Sequence, residues 1–155
     1  MHGIRYAKYA VGSATNPNIL PNVVNGMIVS TPIPVNVISV SGYDSTTDVF
    51  APFSGRGFSD QRETKPDLTA PAVNILSTAP GGGYSIRTGT SMAAPFVTGA
   101  CALLMQYGIV DQQDPFLYGE KVKAMLQKGA RPLPAFSEYP NEDVGWGEDV
   151  IIRLH

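Results

Sequence analysis

Apolar residues fall unevenly along this chain, and their spacing predicts its elements. Val35 to Val40 is β-branched and apolar on both faces, as in a strand buried in a parallel sheet. Met27-Ile28-Val29, Asp48 to Phe53, Val73 to Ser77 and Val150-Ile151-Ile152 read as further short strands. Thr15 to Asn18, Pro21-Asn22 and Pro80 to Gly83 read as turns, and Phe58 to Lys65 as a polar loop. The longest apolar stretch follows Ser91 and predicts a helix to about Tyr107, with Gly108 as its stop. It is apolar nearly all round, so it is expected to be central and buried. Ala93, Ala94, Gly99, Ala100 and Ala102 would let neighbouring backbones approach it closely. Pro95 is assigned to its first turn, where a missing N–H costs nothing. A second helix is expected with Asp114 as N-cap, Pro115 at its first position, an apolar stripe of Val122, Met125 and Leu126, and Gly129 at its end. Pro132 to Gly147 reads as loop. Strands alternating with buried helices predict a layered α/β fold.

Composition narrows the class. The chain has 155 residues, enough for one domain with its own core. Of these, 43% are hydrophobic and 15% charged, and the 16 Gly and 13 Pro favour tight turns and buried strands. A net charge of −2 gives no electrostatic case for nucleic acid or an anionic membrane. The run Phe96 to Met105 is too short to span a bilayer, and the N-terminus shows no signal-peptide pattern. The single cysteine, Cys101, excludes an intrachain disulfide and a cysteine metal cluster, and reads as a small core residue.

The chemistry concentrates in Gly89-Thr90-Ser91-Met92-Ala93-Ala94-Pro95. These residues set a serine in a glycine-led turn at the start of the long helix. Unpaired backbone N–H groups and the positive end of the helix dipole lie there. A serine hydroxyl needs a general base, a group to orient that base, and donors for the oxyanion its attack creates. The turn supplies the nucleophile and one donor, the Ser91 N–H.

The seven residues resemble the nucleophile motif of the subtilisin-like serine proteases, the subtilases. The resemblance runs from about Asn25 to Gly147. It takes in Val37-Ile38-Ser39-Val40, Phe53-Ser54-Gly55-Arg56-Gly57, Lys65 to Pro71 and Val73 to Tyr84. It implies the C-terminal part of a parallel-sheet, three-layer α/β protease fold over residues 23–155, after a weakly patterned segment 1–22. It implies hydrolysis of peptide bonds through an acyl-enzyme on Ser91, with a protein or peptide substrate and no catalytic cofactor. Thr88, just before the turn, would contact substrate. Leu104 to Gly108, Lys128 to Arg131, Tyr139-Pro140-Asn141 and Gly145-Trp146-Gly147 are similar to clostridial subtilases, a group that includes germination proteases acting on a spore-cortex hydrolase. On that resemblance alone the location would be extracellular or spore-associated. Three positions depart from the pattern: Ala72 where Gly is usual, Phe96 where His is common, and Thr88 where Asn is frequent.

The family orders its triad Asp, His, Ser, and the partners are not evident here. His2 shares only His-Gly with the family's His-Gly-Thr, with no room for an Asp before it, and His155 is in the wrong order. Asn25-Gly26, at a tempting distance for the oxyanion asparagine, reads as a turn. The expectation is therefore a fragment, inactive alone, that pairs with a missing N-terminal half or with itself. A non-catalytic subtilase-like binding module is the alternative. Pro80 to Gly83 lacks the features of a phosphate loop. The acidic cluster of Asn141-Glu142-Asp143 with Glu148-Asp149, four carboxylates and one amide, fits no EF-hand spacing and reads as solvated loop. The resemblance admits a structural calcium, with no ligands assigned.

Overall fold

In a computed structural model describing residues 37–57 and 64–149, the first strand, β1, spans Val40–Asp44. It therefore begins at the last residue of the apolar run expected to form it. The Ser39 N–H donates to the Asp67 carboxylate at 2.7 Å. That donor is unavailable to a neighbouring strand, and the ladder begins one residue later. The expected strands at 27–29 and 150–152 lie outside the described residues.

A short β2 (Val49–Phe50) folds back antiparallel on β1, pairing Tyr43 with Phe50. Between them Asp44 Oδ1 accepts from the Thr46 hydroxyl and N–H, and these bonds hold its carboxyl below the usual range. β3 (Leu68–Pro71) pairs with β1 in parallel, from Val40↔Leu68 to Tyr43↔Pro71. The sheet order is β2-β1-β3. The tail segment expected to be loop caps the far edge of β3: the Thr69 N–H donates to Gly147 O at 2.9 Å and the Asp149 N–H to Thr69 O at 3.1 Å. An edge strand is thereby covered by a few hydrogen bonds.

β4 (Ile75–Thr78) and β5 (Tyr84–Arg87) make a separate antiparallel hairpin. The expected turn closes it, with Gly81, Gly82 and Gly83 at φ 82°, 99° and 78°. β5 alternates apolar Tyr84 and Ile86 with polar Ser85 and Arg87, a short pattern not assigned as a strand above, and it pairs with β4 along its whole length.

Helix α1 spans Thr90–Met105 and continues as a π-helical turn over Gln106–Val110. Gly108 does not stop it. A Cβ at Gly108 would lie 2.6 Å from Leu117 Cδ2, so this glycine serves a close approach within the turn. The 21 helical residues are long and apolar enough to cross a membrane by length and composition, which the shorter run read from sequence is not. One side of α1 packs on β1, β3 and helix α2 (Gly119–Gly129) through Ala93, Val97, Cys101 and Leu104. The other side is exposed at Ser91, Pro95, Gly99, Ala102 and Leu103, contrary to the expectation of burial all round. No described residue covers that face.

α2 starts five residues after the expected N-cap. Asp114 instead accepts from the Leu117 N–H in a turn at 3.0 Å, and Tyr118 is extended at φ −122°, ψ 173°. Val122 and Leu126 are buried as the stripe predicts, while Met125 is 37% exposed. Burying a leucine such as Leu126 contributes about 1.5–3 kcal/mol.

Candidate active site

The nucleophile turn is built from the end of β3 and the end of β5. Beyond β3, the Ala72 C=O accepts from the Gly89 N–H at 2.8 Å. Beyond β5, Thr88 Oγ1 accepts from the Asn74 N–H at 2.9 Å. Thr88, assigned to substrate contact, is thus also a tie at the base of the hairpin. Gly89 sits at φ 150°, ψ 159°, a conformation that strains any residue with a side chain. The Met92 N–H closes the turn on Gly89 O at 2.9 Å. Thr90 is half-buried, Ser91 exposed, Met92 half-buried and Ala93 buried.

Ser91 is the second residue of α1, at the carboxyl end of the parallel pair β1/β3, where α/β folds place their ligands. Gly89 offers no side chain to cap the helix, and no side-chain cap is made. The amides of the first turn therefore face outward at the positive end of the dipole. The Ser91 N–H can serve an oxyanion there. Pro95 is the sixth helical residue, in the second turn rather than the first. Its missing N–H leaves the Ser91 C=O without the usual i+4 donor, an interior cost that the sequence reading did not assign.

Among the described residues nothing bonds the Ser91 hydroxyl. His2, His155 and Asn25 lie outside the described residues. One residue that sequence reasoning missed lies beneath the turn. Gly42 of β1 lies where an added Cβ would be 2.5 Å from Ala72 Cβ, 3.6 Å from Thr90 Cγ2 and 3.9 Å from Phe53 Cε2. Gly42 lies two residues past the apolar run Val35 to Val40, so the strand pattern does not mark this approach.

Two ionic clusters brace this frame. Asp67, fully buried, accepts at Oδ2 from Ser39 Oγ (2.9 Å) and Lys65 Nζ (2.8 Å), and at Oδ1 from Lys123 Nζ (2.8 Å) and Gln127 Nε2 (3.3 Å). Burial lowers the Lys65 ammonium from its ordinary pKa, against the opposing pull of Asp67. In the second cluster Glu148 takes the Tyr43 hydroxyl and the Arg131 guanidinium, with Arg131 Nε at 2.6 Å. Burial first, then the bond to Glu148, raises the Tyr43 phenol.

The acidic tail is engaged locally. Asn141 Oδ1 accepts from the Asp143 and Val144 N–H groups, and Asp143 pairs with Arg56 at 3.2 Å. Among the described residues no group of three His, Cys, Asp or Glu is placed to hold a metal ion. Burial pushes the Cys101 thiol up to about 11, as suits a core residue rather than a nucleophile.

The description "Subtilase family" matches residues 3–147. The chain belongs to the subtilase family. It is 44% identical over 70 residues to an intracellular serine protease of Paenibacillus polymyxa, covering 43% of this chain and 22% of that protein. It is 34% identical over 122 residues to the serine protease AprX of Bacillus subtilis, covering 66% of this chain and 26% of that protein. The structure is similar to that of the Clostridium perfringens CspB protease, with TM-score 0.71 and 47% identity over 74% of this chain and 24% of the other. The α/β subtilase fold expected from the sequence is thus present. The chain spans about a quarter of the length of these relatives.

Proposed function

We propose that this chain carries the nucleophile of a serine endopeptidase. The exposure of Ser91 at the amino end of α1, over the carboxyl ends of β1 and β3, is the observation that supports this reading. Ser91 Oγ attacks the scissile carbonyl carbon, its proton passing to a base outside the described residues. The carbonyl oxygen becomes an oxyanion facing the Ser91 N–H. The tetrahedral intermediate collapses, the amine leaves with a proton, and water then hydrolyses the acyl-enzyme. Gly89, Thr90, Met92, Ala93 and Pro95 shape the turn, and Thr88 borders the substrate. The chemistry needs no cofactor.

The chain alone is a fragment of that site and lacks turnover. In subtilisin, losing the histidine costs about 10⁶ in turnover. Losing the oxyanion-hole asparagine costs on the order of 10²–10³. Its partner is the polypeptide that supplies the Asp, the His and that asparagine, seated on the exposed side of α1. The relatives' names include an intracellular serine protease and a PII-type proteinase of Lactococcus lactis, and extracellular or spore association is our proposal for this chain.

The test is labelling of the whole protein by a fluorophosphonate probe, with Ser91→Ala beside it. Labelling of the wild type and none of the variant is expected. Equal labelling of both removes Ser91 from the mechanism, and labelling of neither favours a binding module. Ser91-dependent turnover by the purified 155-residue chain would overturn the fragment reading.

A further inference from the structure

Gly42 lies inside β1, where a glycine weakens a strand unless something approaches it closely. A Cβ at this position would meet the Ala72 Cβ at 2.5 Å, well inside contact distance, and Thr90 Cγ2 at 3.6 Å. The Ala72 methyl is fixed to the backbone and cannot rotate away. Its backbone is held on both sides: its N–H donates to Tyr43 O at 2.9 Å, and its C=O accepts from the Gly89 N–H at 2.8 Å. Gly89 is two residues before Ser91 and is itself held at φ 150°. Any displacement of Ala72 is therefore passed to the nucleophile turn through one hydrogen bond.

We propose that Gly42 is a positioning residue for the nucleophile: its missing side chain leaves the space that the Ala72 methyl fills, and this contact sets where the Gly89–Ser91 turn sits over β1 and β3. The inference rests on Ser91 being the nucleophile. It also makes a claim independent of chemistry, that one methyl fits between positions 42 and 72 and two do not. Gly42→Ala overfills the gap and lifts Ala72 together with Gly89. Gly42→Ala combined with Ala72→Gly moves the methyl to the other side and restores the fit. Ala72→Gly alone empties the gap and loosens the turn.

The experiment uses the whole protein and two readouts. The first is the maximal rate and half-saturating concentration of fluorophosphonate labelling. The second is amide hydrogen exchange over residues 89–92. Gly42→Ala is expected to slow maximal labelling by about 10²-fold with little change in half-saturation, as a small misplacement of a reacting group does. It is expected to speed exchange over 89–92 by roughly tenfold or more. The double variant recovers both. Leu126→Ala, which empties the core at α2, lowers the melting temperature without slowing labelling of the folded protein. Unchanged exchange in Gly42→Ala, or a double variant that does not recover, overturns the proposal. If Gly42→Ala does not fold, Ala72→Gly decides: faster exchange over 89–92 supports the coupling, and unchanged exchange overturns it. Absence of labelling in the wild type defeats the nucleophile reading alone, because the exchange readout still tests the contact between Gly42 and Ala72.

Discussion

Lys123 of α2 reaches Asp67, just before β3, at 2.8 Å, and Asp67 is fully buried. Lys65 meets the same carboxylate from the other side at 2.8 Å, and it too is almost fully buried. One anion thus holds two ammonium groups from different parts of the chain. Removing one partner of a buried ion pair costs more than the pair contributes, because charge is left uncompensated. Asp67→Asn is expected to destabilise the fold by about 3–5 kcal/mol. Urea midpoints of the variant and the wild type measure this. A loss within the range of an ordinary surface substitution would show the cluster to be solvated.

Alkaline pH acts on Tyr43. Its phenol is raised in the folded state by burial and by the bond to Glu148. The folded chain therefore binds this proton more tightly than the unfolded chain does. The corresponding stability is fully present below the unfolded value near 10 and is lost as pH rises above it. Lys65 works in the opposite sense: its folded value is lowered, so its contribution to stability rises with pH up to its ordinary value. A comparison of Tyr43→Phe with the wild type cancels the lysine. From about pH 8 to about pH 11, the wild type is expected to lose more stability than Tyr43→Phe. Parallel losses in the two proteins would refute a buried neutral phenol.

Gly89 tests the turn itself. Its φ of 150° suits glycine, and the space around it is open: an added Cβ would come no nearer than 4.0 Å to the Ser91 N. The penalty for Gly89→Ala is therefore conformational rather than steric, on the order of 1–3 kcal/mol. Relief of that strain would rotate the Thr90 and Ser91 amides away from their present direction. Fluorophosphonate labelling is expected to fall much further than the melting temperature. Proportionate falls in both would mean that Gly89 matters only for stability.

These residues also show which parts of the fold the sequence discloses. Local patterns marked the Pro80–Gly83 turn, the buried Val122 and Leu126, and the glycine-led start of α1, because each depends on neighbours in the chain. β3 and β5 were not assigned as strands from the sequence. β3 is defined by its pairing with β1, 28 residues upstream, and β5 by its pairing with β4. The late start of α2 follows a turn in which Asp114 bonds back to Gly108 and Leu117 lies against Gly108, contacts the local pattern does not show. At the site, the motif located Ser91, but nothing in it indicated that Gly42 and Ala72 stand beneath the turn.

The exposed side of α1 supplies the last prediction. Leu103 is 53% exposed and Val110 71%, on a helix whose other side forms the core. Tyr107, also on the exposed run, is 53% open. Side chains of this kind, aligned with Pro95, Gly99 and Ala102, make a contiguous apolar strip with small residues along it. A strip of that sort marks a contact surface. The isolated 155-residue chain is therefore expected to self-associate, and sedimentation velocity should show species larger than a monomer. Leu103→Lys with Val110→Lys places two like charges on the strip. It should shift the distribution toward monomer while leaving the melting temperature nearly unchanged, because neither side chain is in the core. The same double substitution in the whole protein should impair assembly of the catalytic domain if the polypeptide proposed to bear the other triad residues sits on this face. A monodisperse wild-type monomer would refute self-association through this strip.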